Sequence, residues 1–213
     1  MEHRAVQIRS TKNKNISIVT IPGHFATNHS HVSHYIDMTA IKHSYTMAHE
    51  AAEEMAVPYN HSMQIDTIIC MDGCEVIGGL LAHELVKTGI NSLSESGEIH
   101  VITPEFNSSN QLIFRDNVQS MLWEKNILLL IASATTGKTI SRCLECIQYY
   151  GGRVKGISAI FSAISEQTGI PVHALFTSDD LPDYKTYPFH ECPSCQEKRK
   201  IDAIVNSYGY SKI

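Results

Sequence analysis

The densest run of small hydrogen-bond donors in this chain is Thr135-Thr136-Gly137-Lys138-Thr139. A glycine lets the backbone approach a ligand closely, and successive N–H groups ahead of a helix converge on one anion at the positive end of its dipole. Three threonine hydroxyls and the Lys138 ammonium add donors at the same place. The chemistry these residues suit is phosphate binding. A competing reading is an ordinary strand-to-helix turn that uses threonine as its N-cap. The density of donors favours the anion site.

Thiols and imidazoles are the other residues whose spacing could do chemistry. Cys143 and Cys146 sit in CLEC, where Cys143 shares a helical face with Ile140, Leu144 and Ile147, the pattern of a buried thiol acting as a small hydrophobe. His190, Cys192 and Cys195 in HECPSC resemble half of a zinc site. The fourth ligand is left open among Cys146, a second chain and water. Against zinc stands the simpler expectation of a tail packed through ordinary thiols, which leads. His24, His29, His31 and His34 form a second cluster, with His29 and His31 on one side if the segment is a strand. Solvent-exposed loop histidines are the favoured reading, with a surface metal or a pH-dependent interface as the alternative.

The elements that must position these groups alternate from residue 65 onward. DTIICM reads as a strand, EVIGGLLAHELVKTG as a helix stopped at Gly89, and GEIHVIT as a strand. A polar loop, PEFNSSNQ, leads to the strand NILLLI and then to the phosphate loop and its helix. RVKGISAIFSAI and IPVHALF complete the strands. This alternation predicts an α/β fold with a central, mostly parallel sheet flanked by helices, whose ligands bind beyond the carboxyl ends of the strands. Upstream, ISIVTIPG reads as a strand ended by its Pro-Gly turn, and TAIKHSYTMAHEAAEEMA as one helix with Thr39 as N-cap. The final QEKRKIDAIVNSYGY is expected to form a short closing helix.

The 213 residues suffice for one domain with a sizeable core. A net charge of −5 excludes a global basic field, so neither nucleic acid nor an anionic membrane is expected as a partner. MEHRAVQIRSTKNKN lacks the apolar run of a signal peptide, and no stretch reaches transmembrane length. A cytoplasmic location, with thiols free or metal-bound, is the expectation.

Two phosphate-loop patterns fit these letters. Residues 132–139 satisfy the looser Walker A form, although Ala132 stands where the loop usually has glycine, and no later strand ends in an acid suited to magnesium. The second pattern resembles that of the type I phosphoribosyltransferases: an apolar strand, two acids, two small residues, then Thr-Thr-Gly-x-Thr. SHYIDM, DTIICMDGCEVIGGLLAHEL, YYGGRVKGISAIFS and GIPVHALFTSDDL resemble successive segments of the orotate branch of that family, in order, over residues 30–195. CPSC is similar to a Cys-Pro-x-Cys tail found in some members.

That resemblance implies an N-terminal hood over residues 1–60, a phosphoribosyltransferase-like core over 61–182 and a tail over 183–213. It implies a homodimer, magnesium if the protein is active, and a phosphorylated ribose or nucleotide ligand whose 5′-phosphate is gripped by Thr135, Thr136, Gly137, Lys138 and Thr139. The paired acids fall on Ile131 and Ala132, which cannot accept a hydrogen bond from a ribose diol. The pyrophosphate-loop region falls on Asp72, Gly73 and Cys74, between Met71 and Glu75. The loop corresponding to the family's basic mobile loop carries no Lys, Arg or His until Arg115. The expectation is therefore a ligand-binding protein of this fold with weakened or absent transferase activity. The alternatives are an active transferase of pyrimidine nucleotide metabolism using Asp72, Glu75 or Asp179 as replacement acids, and a Walker-type nucleotide-binding protein.

Overall fold

The computed structural model describes residues 1–59, 63–87, 98–108 and 111–213. The chain starts with β1 (Val6–Arg9), β2 (Ser17–Ala26) and β3 (His31–Asp37), followed by α1 (Thr39–His43) and α2 (Tyr45–Ala56). Next come β4 (Thr67–Cys70), α3 (Glu75–Lys87), β5 (His100–Ile102), a small ribbon of β6 (Glu105–Phe106) and β7 (Leu112–Ile113), and α4 (Asp116–Gln119). The second half contains β8 (Asn126–Ala134), α5 (Lys138–Tyr149), β9 (Arg153–Ser162), β10 (Glu166–Gln167) and β11 (Ile170–Thr177). β12 (Thr186–Tyr187), α6 (Pro193–Gln196), β13 (Ala203–Asn206) and β14 (Gly209–Lys212) close the chain. Gly89, the expected stop of α3, lies outside the described residues.

The central sheet has the order β10-β11-β9-β8-β4-β5, parallel throughout except for the edge strand β10. β8 lies inside it, and its apolar run is dictated by burial on both faces. Leu128, Leu130 and Ala132 point into a core with Ala48, Ala51 and Ala52 of α2 and Ile77 and Leu81 of α3. Leu129 and Ile131 point the other way, against Ile140, Cys143 and Ile147 of α5. The period of two along the strand thus meets the helical stripe of α5, and the two patterns fix the loop between them.

A second sheet, β12-β3-β2-β13-β14 with β1 beside β2, forms the hood. It departs from the sequence reading in three places. β2 does not end at Pro22-Gly23. It runs through to Ala26, with a bulge between Pro22 and Phe25 that absorbs the proline's missing donor. The helix over residues 39–56 is broken at Ser44, whose extended backbone separates α1 from α2; Thr39 is not the cap but donates its N–H to Asp37 Oδ1 at 2.9 Å. The closing helix is a β-hairpin. Ala203 and Val205 alternate buried with exposed neighbours, and the Asn206 side chain accepts the N–H groups of Tyr208 and Gly209 to make the turn. β13 then adds parallel to β2, so residues 186–212 complete the hood rather than hang from the core.

Candidate functional site

The turn after β8 is three residues long, Thr135 to Gly137, before α5 begins at Lys138. Gly137 has φ 72°, left-handed, and a Cβ there would run into the side chain of Gln167, which is held by its hydrogen bond to Ser141 Oγ at 2.8 Å. The capping alternative fails, because Gly137 itself is the N-cap and no side chain caps α5. Among the described residues no protein acceptor takes the N–H groups of Thr135, Thr136 or Gly137. They join the first N–H groups of α5, which have no partner within the helix. All five residues of the motif line one cleft of about 370 Å³. The floor of this cleft comes from the central sheet, and the hood residues His34, Ile36 and Met38 supply a facing wall. A Walker loop would have to wrap from Ala132, but residues 132–134 belong to β8 and Ala132 is fully buried.

Beyond the loop, Ile131 lines the cleft where the resemblance implied an acid, and Ala132 is turned into the core. The carboxylate that does line the cleft is Asp72, in the turn after β4. It faces the Ser207 hydroxyl and the Ala132 N–H, and burial, partly offset by the nearby Lys42 ammonium, raises its pKa above the ordinary carboxylate value. Lys42, buried at 3% exposure, donates through Nζ to the backbone oxygens of Asp72 and Ser207. Tyr208 covers Gly73, and Cys74 is a core thiol whose pKa is pushed upward by burial. Of the residues expected around this turn, only Asp72 reaches the cleft. Glu75 is exposed and accepts from Thr103 Oγ1 at 3.2 Å, and the exposed Asp179 donates its N–H to Thr177 Oγ1 at 3.3 Å. Neither lines the cleft. Arg115 is spent on Glu105, at 2.8 Å.

Magnesium prefers six oxygen ligands, with carboxylates supplementing substrate phosphates. The cleft offers a single carboxylate among the described residues, Asp72, whose pKa burial raises. These residues do not by themselves fit a resident magnesium ion.

The thiols and imidazoles come together elsewhere, on the hood. His190 is 80% exposed and pairs with Glu191 at 3.2 Å. Cys146 is also remote, its Sγ donating to Leu112 O at 3.4 Å. Cys192 and Cys195 instead meet His24 and His31, two histidines expected to be loop residues but buried at 5% and 7% exposure. His29 stays in the exposed turn between β2 and β3. A second group, His49, Glu53 and Glu84, lies at the α2–α3 surface, where Lys87 already engages Glu84 at 2.7 Å.

Lys42, Ser207 and Tyr208 were missed by the sequence reading. Asn206-Ser207-Tyr208-Gly209 is a turn signature that could have flagged the hairpin. Nothing local to the sequence marks Lys42 as a buried strut.

No protein-family model and no curated protein matches the sequence. Solved structures do match by shape. Leishmania donovani UMP synthase superposes with a TM-score of 0.54 at 13% identity over 76% of this chain. This chain spans only 34% of that enzyme's length. A phosphoribosyltransferase from Corynebacterium diphtheriae gives 0.52 at 13% identity, covering 76% of this chain and 90% of that one. Orotate phosphoribosyltransferase from Aeropyrum pernix gives 0.52 at 17% identity, with coverages of 77% and 91%. The chain therefore has the fold of the type I phosphoribosyltransferases, with the sheet order and helical layers described above. Within that fold class the orotate enzymes stand among its structural neighbours.

Proposed function

We propose that this protein binds a ribose phosphate or a nucleotide, gripping the phosphate with residues 135–139, and has little or no transferase activity. The observation that carries this reading is the asymmetry of the cleft. One end offers unpaired N–H groups and hydroxyls at a helix N-terminus, while the other meets a ribose with the hydrocarbon of Ile131 and a single carboxylate, Asp72, in place of two paired acids. Phosphate binding needs the first end only. Stabilising an oxocarbenium-like transition state needs fixed negative charge at the second, and each missing preorganised group costs about 10²–10³ in rate.

Calorimetry with ribose 5-phosphate, nucleoside monophosphates and phosphoribosyl pyrophosphate tests the reading. Saturable binding that weakens by about 100-fold in Gly137→Val is the expected result. Binding left unchanged by both Gly137→Val and Thr136→Ala would place the ligand elsewhere.

Asp72 favours a second reading, because it is a carboxylate in the same cleft, facing the Ala132 N–H. In that reading it replaces one lost acid and the protein turns over slowly. Orotate-dependent pyrophosphate release from phosphoribosyl pyrophosphate that vanishes in Asp72→Asn supports this version. The absence of release beside an authentic enzyme rejects it.

A further inference from the structure

We infer that His24, His31, Cys192 and Cys195 form a structural zinc site that clasps the C-terminal segment onto the hood sheet. The four ligand atoms lie within 4.8 Å of one another. His24 Nε2 is 3.1 Å from His31 Nδ1, 3.5 Å from Cys192 Sγ and 3.6 Å from Cys195 Sγ, and Cys195 Sγ is 3.2 Å from His31 Nδ1. Ordinary Zn–S and Zn–N bonds at tetrahedral angles require edges of about 3.3 Å between two nitrogens and about 3.6 Å between nitrogen and sulfur. The four spacings fall within about 0.4 Å of these edges, and the remaining two ligand pairs lie no farther apart than 4.8 Å, so the ligands are already turned inward around one point.

The surrounding hydrogen bonds support the same conclusion. His24 Nδ1 lies 3.1 Å from Arg199 O and 3.2 Å from Lys200 O. Carbonyl oxygens only accept, so Nδ1 must carry the proton and Nε2 turns its lone pair toward the thiols. This is the outer-shell arrangement that fixes the tautomer of a ligating histidine. The bulge in β2 aims His24, since the register of the β2–β3 pair shifts between Pro22 and Phe25. Pro193 starts the turn in which the Cys195 and Gln196 N–H groups bond Cys192 O, presenting both thiols from one knuckle.

Four protein ligands leave no open position, so the site is structural and not catalytic. Zinc entry displaces one proton from each thiol, and the product, one Zn²⁺ with two thiolates and two neutral imidazoles, carries no net charge. The mechanical consequence follows from chain order. Residues 192–195 precede β13 and β14, whose turn brings Ser207 and Tyr208 to the cleft. The clasp thus fixes the start of the segment that ends as a wall of the binding site.

The test is metal analysis of the protein produced with added zinc under reducing conditions, followed by cobalt replacement. About one zinc per chain is expected, and cobalt should show tetrahedral ligand-field bands with thiolate-to-cobalt charge transfer. Cys195→His keeps a ligand while removing one thiolate, so the charge-transfer intensity should fall by about half at unchanged stoichiometry. His31→Ala should lose the metal, and His190→Ala should keep it. Less than a tenth of an equivalent of zinc, a Cys192–Cys195 disulfide surviving the reductant, or a site that His190→Ala empties and His31→Ala does not would each overturn the assignment.

Discussion

Two neighbouring turns of the central sheet start from the same plan and end in opposite states. β4 and β8 are adjacent and parallel, each is followed by a left-handed glycine, at φ 77° for Gly73 and 72° for Gly137, and each feeds a helix. The turn after β8 leaves its N–H donors without a protein acceptor among the described residues, facing the cleft. The turn after β4 is filled by the protein itself: Lys42 takes the carbonyl of Asp72, Tyr208 lies over Gly73, and Cys74 is drawn into the core. A glycine turn at a strand's carboxyl end is therefore not a site on its own. It becomes one only where the chain leaves its polar groups unpaired in front of open space.

The largest expected effect comes from unfilling the β4 turn. Lys42→Met removes the donor shared by two part-buried backbone oxygens, and losing a buried partner costs about 1–3 kcal/mol. Denaturant unfolding should show a loss in that range or somewhat above it. A loss below about 0.5 kcal/mol, the size expected of an exposed substitution, would mean that the filling is incidental. Gly137→Val comes next and attacks the open turn. A β-branched residue at φ 72° is strained by about 1–3 kcal/mol, and its side chain would enter the space held by Gln167. Ribose 5-phosphate affinity should fall by about 100-fold while the far-ultraviolet dichroism stays native.

A pH experiment sharpens the comparison at Asp72. Burial raises its folded pKa above the unfolded value, so the folded chain holds a proton over a window in which the unfolded chain has lost it. Its contribution is most favourable below the unfolded carboxylate pKa. Stability declines as pH rises from there through the folded pKa, and the penalty stays constant above it. Asp72→Asn should remove that decline, seen as a stability difference from the parent that grows with pH and then levels off. A difference independent of pH would mean Asp72 titrates as it does in water.

How much of this was legible depended on the range of the interactions. The strand-loop-helix over residues 127–149 was readable because the continuous apolar run of β8, the helical stripe of α5 and Gly137 are all local signals. The α/β class followed from the same alternation. The hairpin over 203–212 was misread because lysines and alanine gave helical composition, while the Asn206 turn and pairing with β2, nearly 180 positions away, decided the outcome. The metal ligands show the same limit. Cys192 and Cys195 announced themselves by spacing, but the nearest histidine in sequence, His190, points to solvent. The partners His24 and His31 arrive from a bulged strand and its neighbour, and no spacing rule connects them to the thiols. Lys42 is the extreme case: its role exists only because α1, the β4 turn and the hairpin converge on one ammonium group.

The smallest predicted effect is also the one that separates the two phosphate-loop patterns. In a Walker loop the lysine curls back over a long backbone wrap to reach the terminal phosphates, and its loss removes tight nucleotide binding. Here the wrap has no room, since β8 runs to Ala134 and leaves only three residues before α5. Lys138 is the first residue of the helix and is exposed, so its ammonium acts on the ligand through solvent, where such charges contribute about 0–1 kcal/mol. Lys138→Ala should therefore weaken ribose 5-phosphate binding about 5-fold or less, and the loss should shrink further as salt is raised. Thr136→Ala, which removes a hydroxyl donor to a charged oxygen, should cost more, about 10-fold. If Lys138→Ala proves the more damaging of the two by calorimetry, then the grip lies in the lysine, and the contrast between an open backbone turn and a filled one loses its meaning for this protein.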